Sequence, residues 1–142
     1  MKKITFFFIF LSSFAFSQVQ NANFSVSPAT FEEDEEITIT VSGVNPSIWG
    51  VSDIYLWAWS FNEADLNQDP ANAVNSPTNG SWTNSNEAQK MTDNGNGTFS
   101  FTLTPSTFYA RTGLKRIGVL VKAKNGDGDK KSQDQLFEIG TF

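Results

Sequence analysis

Residues 54–61, Ile-Tyr-Leu-Trp-Ala-Trp-Ser-Phe, place apolar side chains on both faces of an extended strand. Successive side chains in a strand point to opposite sides, so Ile54, Leu56 and Ala58 fall on one face and Tyr55, Trp57, Trp59 and Phe61 on the other. Such a strand needs a second layer against its aliphatic face. Its aromatic face needs either more core or a ligand, and the functional reading depends on which.

Most of the remaining pattern has the same period of two. Residues 36–42 alternate Ile37, Ile39 and Val41 with Thr38, Thr40 and Ser42, a half-buried antiparallel strand with a wet outer face. Residues 98–104 set Phe99, Phe101 and Leu103 against four hydroxyl side chains, after an Asn/Gly turn at 93–97 that tolerates positive φ. Residues 114–124 carry Ile117, Val119, Val121 and Ala123 on one face and Gly118, Leu120, Lys122 and Lys124 on the other. An edge strand at 24–28 stopped by Pro28, a short strand at 87–92, and a last strand at 133–139, where Leu136 alternates with Gln135 and Phe137, complete the set. With no helical period and no internal repeat, about seven short strands predict an all-β, antiparallel immunoglobulin-like β-sandwich.

Residues 1–17 read as a secretory signal peptide, with Lys2 and Lys3 ahead of a Phe-rich apolar run and small residues, Ala15 and Ser17, at the cleavage positions. The run is too short to span a bilayer. Residues 18–142 are then the mature domain, secreted or held at the cell surface. The chain has no Cys, so it is not expected to be a lipoprotein and its core has no disulfides. The formal charge is −5, and loss of the two leader lysines makes it more negative, which disfavours nucleic acid and anionic membranes as partners.

The chemistry absent is informative. There is no His, the commonest general base and transition-metal ligand, no nucleophile elbow and no phosphate-cradling loop. The acidic residues 32–36 read as a solvated loop. Asp127 and Asp129 sit in a turn without the glycine placement and terminal Glu of a calcium loop, so it reads as a hairpin turn. No catalysis, metal or cofactor is expected.

What the chain has is aromatic: four Trp and two Tyr, three of the six within residues 55–59. Sugar rings lay their C–H faces on indole and phenol rings while their hydroxyls seek amides and charges. Same-face residues along a strand repeat at about 6.5–7 Å, of the order of one sugar unit. Tyr55 and Trp57 are the ligand-facing pair in this reading, and Trp59 is assigned to the core as the buried tryptophan common in such sandwiches. Residues 62–85 form a long Asn/Pro/Ser/Gly loop whose Trp82 either pins the loop to the sandwich or lines the site.

The order Tyr55-x-Trp57-x-Trp59, Ser81-Trp82, Gln89-Lys-Met-Thr92, Gly95-Asn-Gly-Thr-Phe99 and Lys122-x-Lys124-x-Gly126 resembles starch-binding modules appended to amylases. It is also similar to sandwich domains of starch-utilisation outer-membrane lipoproteins, and most of all to the N-terminal domain of exported flavobacterial alpha-amylase-family glycoside hydrolases. The resemblance implies Tyr55, Trp57 and Trp82 as stacking platforms, with Lys122 or Lys124, together with Gln89, supplying hydrogen bonds to glucose hydroxyls. It implies an α-glucan as partner and a downstream catalytic domain, the chain being one piece of a larger enzyme and not itself hydrolytic. The rival expectation is a structural immunoglobulin-like spacer or protein-interaction domain, favoured if Tyr55, Trp57 and Trp59 are buried.

Overall fold

A computed structural model describes residues 17–66 and 73–140. The leader reading lies, apart from Ser17, outside the described residues. Strands β1 (Asn23–Ser27) and β2 (Ile37–Ser42) are followed by β3 (Tyr55–Asn62), β4 (Val74–Asn75), β5 (Gly80–Ser81), β6 (Asn84–Ser85), β7 (Thr92–Asp93), β8 (Thr98–Leu103), β9 (Leu114–Lys122) and β10 (Gln135–Glu138). They form two four-stranded antiparallel sheets, ordered β1-β2-β8-β7 and β10-β9-β3-β4, plus the β5–β6 hairpin. These neighbour relations are those of the two sheets of an immunoglobulin-like sandwich, as the period-two pattern predicts.

The aliphatic faces meet between the sheets. Ile37, Ile39 and Val41 of β2, Phe99 and Leu103 of β8, Leu56 and Ala58 of β3, and Ile117, Val119 and Val121 of β9 join one buried cluster. Phe101 is half-buried, because β7 pairs β8 only as far as Ser100; its ring packs edge to face on Phe108 at 5.6 Å. The inward positions of β3 are thus Leu56, Ala58 and Ser60, and no tryptophan of β3 enters the core. The buried tryptophan is Trp49. It ends the 3-10 turn Pro46–Trp49, which opens on an Asn45 cap and a proline and closes at Gly50 with φ 75. Its indole N–H donates to the Gln18 carbonyl at 2.6 Å.

Residues 87–92 depart from expectation. A 3-10 turn, Glu87–Gln89, replaces most of the expected strand, and only Thr92–Asp93 pairs with β8. The reason lies along the outer edge of β3. Beyond the two-residue β4, that edge is bonded by side-chain amides: Asn79 Nδ2 donates to the Ala58 carbonyl at 2.8 Å, Ala58 N–H donates to Asn79 Oδ1 at 3.1 Å, and Gln89 Nε2 donates to the Leu56 carbonyl at 3.0 Å. Lys90 then bridges to Tyr55, and Met91 N–H donates to the Ile54 carbonyl. Backbone groups of a buried strand must find partners; here amides do what a longer β4 would have done. Within residues 62–85 the described parts are a short helix, Glu63–Leu66, then β4 and the β5–β6 hairpin that carries Trp82.

Candidate functional site

The outward face of the β10-β9-β3-β4 sheet is built in rows, since residues paired across antiparallel strands share a face. Trp59 pairs with Gly118 on β9 and Asn75 on β4, and Gly118 pairs in turn with Leu136 on β10. Gly118 has no side chain, and the Trp59 indole occupies the volume its Cβ would fill. One row along, Trp57 pairs with Leu120, and on the other side Phe61 pairs with Arg116, whose guanidinium lies 5.7 Å from the ring centroid. Glu138 of β10 holds that guanidinium through two hydrogen bonds.

Trp82 reaches this face from the turn between β5 and β6. Two backbone bonds dock the hairpin on the chain after β9: Ser85 N–H to the Lys124 carbonyl and Gly126 N–H to the Trp82 carbonyl, each 3.0 Å. Gly126 is required there, because a side chain would collide with the Trp82 indole. The Trp57 and Trp82 rings meet edge to face, 5.1 Å between centroids at 84°. The result is an open groove of about 470 Å³ lined by the half-buried Trp57, Trp59 and Trp82, floored by Leu120, and edged by Asn75, Lys131 and Asp134.

The residues singled out from sequence do not converge. Trp57 and Trp82 meet in the groove. Tyr55 is 3% exposed, its hydroxyl donating to Glu87 at 3.1 Å, and with Asp53 and Lys124 it lines a separate hollow of about 290 Å³. Its ring has no open face to lay on a sugar. The Lys124 ammonium donates to Glu87 Oε1 at 2.8 Å and lies 5.7 Å from the Tyr55 ring centroid. Gln89 is fully buried and gives its N–H to the Leu56 carbonyl. Lys122 is fully buried too, donating to Ser85 Oγ at 2.6 Å and to the Lys124 carbonyl at 2.8 Å. A buried donor already bonded to the protein has nothing to offer a glucose hydroxyl. Conversely Trp59, assigned to the core from sequence, lies on the groove. The signal was Gly118: a glycine in the middle of an apolar strand marks a close approach by something large.

The electrostatics divide the same way. The ammonium of Lys124, with the Tyr55 hydroxyl and Lys90, holds the Glu87 carboxyl down at about 2 against an ordinary 4.5. Burial, then Glu87, pushes the Tyr55 phenol up. Burial alone lowers Lys122 to about 8. The Tyr55–Glu87–Lys124–Lys90 cluster is thus satisfied internally, whereas Asp134 and Lys131 at the groove make no ion pair within 4 Å among the described residues. Asp134 is the only carboxylate among the described lining residues. No three metal-ligating side chains converge among the described residues. What the groove can do chemically is stack a ring and bond its polar rim. No protein-family model matches this chain, and no curated protein matches it either.

Proposed function

We propose that this domain is a non-catalytic carbohydrate-binding module for starch-type α-glucans, the accessory domain of a larger exported glycoside hydrolase. The observation that carries the reading is the groove: three accessible indoles, two on the β3 sheet face and one on the hairpin docked beside it, next to an amide, an ammonium and a carboxylate. Indole faces take the C–H faces of pyranose rings, and the polar rim takes their hydroxyls. The 84° angle between Trp57 and Trp82 makes a bent wall rather than a flat strip, and a bent wall suits the curved chain of an α-linked glucan better than a straight, ribbon-like one. An open groove covers little ligand, so affinity is modest. Export through residues 1–17 belongs to the same proposal.

Affinity electrophoresis of the full chain in gels containing soluble starch tests it directly. Retardation that Trp59→Ala abolishes in a folded protein is expected; wild-type migration unchanged by starch and by other glucans overturns the reading. The second reading, a spacer or protein-docking domain, has one observation in its favour. Leu136 on β10, 45% exposed, borders the groove with apolar surface a neighbouring domain would cover. Under that reading migration is indifferent to glucans.

A further inference from the structure

Lys122 has a cation in the wrong place for a ligand contact and the right place for something else. Its Nζ lies 5.6 Å from the Trp57 ring centroid and 5.0 Å from that of Trp82. Behind it, Ser85 Oγ and the Lys124 carbonyl accept its hydrogens. Gly126 leaves room for it, since a Cβ there would meet both the Trp82 indole and Lys122 Cε. The ammonium is thus the common neighbour of the strand that carries Trp57 and the hairpin that carries Trp82. Among the described residues no carboxylate reaches it.

We propose that Lys122 is the positioning residue of the indole groove: while protonated, its ammonium clamps Trp57 and Trp82 at right angles, and on losing the proton it frees Trp82. The consequence for ligand binding rests on the glucan-binding reading; the clamp itself does not. A desolvated cation over an indole face is worth more than an exposed one, and two rings share this one. The neutral amine keeps partners in Ser85 and the Lys124 carbonyl but has no charge for the ring quadrupoles.

The surroundings set where this happens. Just past the end of its strand, Lys124 is tied to Glu87; across from Lys122 on β3, Tyr55 is tied to the same Glu87, with Lys90 beyond. On the returning chain, Lys131 bridges to Lys122. Glu87 is spent on these neighbours, so burial dominates and the proton leaves at about pH 8, against 10.5 for an ordinary lysine. A folded-state pKa below the unfolded one means the proton is held more weakly in the fold. Stability therefore rises, rather than falls, as pH climbs from about 8 towards 10.5. The clamp loosens without the domain unfolding.

The test is circular dichroism of the full chain, reading the exciton signal of the Trp57–Trp82 pair from neutral to alkaline pH, with starch retardation and urea midpoint measured in parallel. In wild type the pair signal and starch retardation decline together through pH 8 while the urea midpoint does not fall. Lys122→Met, which keeps the unbranched stem, shows a weak pair signal at every pH and starch affinity about thirtyfold lower, the value of one desolvated cation–π contact. Lys122→Arg restores the signal and removes its alkaline decline, since guanidinium keeps its charge. A wild-type pair signal that is flat through that range, or one unchanged by Lys122→Met, overturns the clamp. A pair signal that titrates in a protein never retarded by starch upholds the clamp and sinks the glucan reading alone.

Discussion

Trp59 lies on Gly118, its Cε2, Nε1 and Cζ2 atoms standing where a side chain on that strand would begin. The contact makes the middle row of the sheet face, from Asn75 through Trp59 to Leu136, a platform with one indole across two strands. Gly118→Ala forces the ring off its seat. Overpacking of this kind costs about 1–3 kcal/mol, and we expect a loss in that range in urea unfolding, with weaker starch retardation. In the Trp59→Ala background the added methyl has nothing to strike, so the two costs are expected to be strongly non-additive. Additive costs in that cycle would show that the ring does not depend on the glycine.

The amides that replace a strand along β3 give a second prediction. Asn79→Ala removes the acceptor of the buried Ala58 N–H, while the Ala58 carbonyl keeps Ser76 N–H as donor at 2.9 Å. One orphaned buried donor costs about 1–3 kcal/mol. Gln89→Met is expected to cost less than Asn79→Ala. It leaves the Leu56 carbonyl without the Gln89 donor but also removes Gln89 Oε1, a buried acceptor with no partner in the fold. Urea midpoints of the two variants, measured with unchanged slope, decide it; the reverse ranking would mean that Asn79 is not the edge partner of β3.

Glu87 predicts the shape of the acid limb. Its carboxyl titrates at about 2 in the fold against 4.5 ordinarily, chiefly through the Lys124 hydrogen bond. A depressed carboxylate pKa contributes stability that is whole above 4.5 and lost as pH falls from there towards 2. Glu87→Gln is therefore expected to be less stable than wild type at neutral pH and to converge on it as both are acidified. Curves of urea midpoint against pH that stay parallel across that window would contradict the assignment. Because the carboxylate is exposed, added salt should narrow the gap.

Strand alternation made the sandwich legible because each half-buried strand states its inward face twice over, by an aliphatic on one side and a hydroxyl on the other, as in Ile37 to Ser42. The site was legible only in part, and for a physical reason. Alternation says that Tyr55, Trp57 and Trp59 share a face, which they do, but not what neighbouring elements lay over that face. The β5–β6 hairpin and the Glu87–Gln89 turn cover its Tyr55 end through Glu87 and Lys122, and leave the Trp59 end open. That cover depends on where a long polar segment lands, and side-chain amides such as Asn79 carry no periodic signal. Lys122 and Gln89 looked like free polar groups for the same reason. Trp49, the true core tryptophan, was hidden in a turn rather than in a strand.

The two ends of the aromatic row give the sharpest contrast. If the groove binds the glucan, a loss of starch retardation follows Trp59→Ala and Trp57→Ala, because each removes an indole wall of the groove. Stacking partners of this size contribute about 1–3 kcal/mol, a loss of roughly five- to 150-fold in affinity. Tyr55→Phe should leave retardation as it was, since the hydroxyl's partner is Glu87 and the ring lies under cover. Its effect falls on stability instead: without the phenol donor, Glu87 keeps only Lys124 and Lys90. The carboxyl then titrates nearer its ordinary value, and the acid limb of the urea curve flattens. Retardation lost in Tyr55→Phe but kept in Trp59→Ala would move the ligand to the hollow beside Asp53 and Lys124 and away from the three tryptophans.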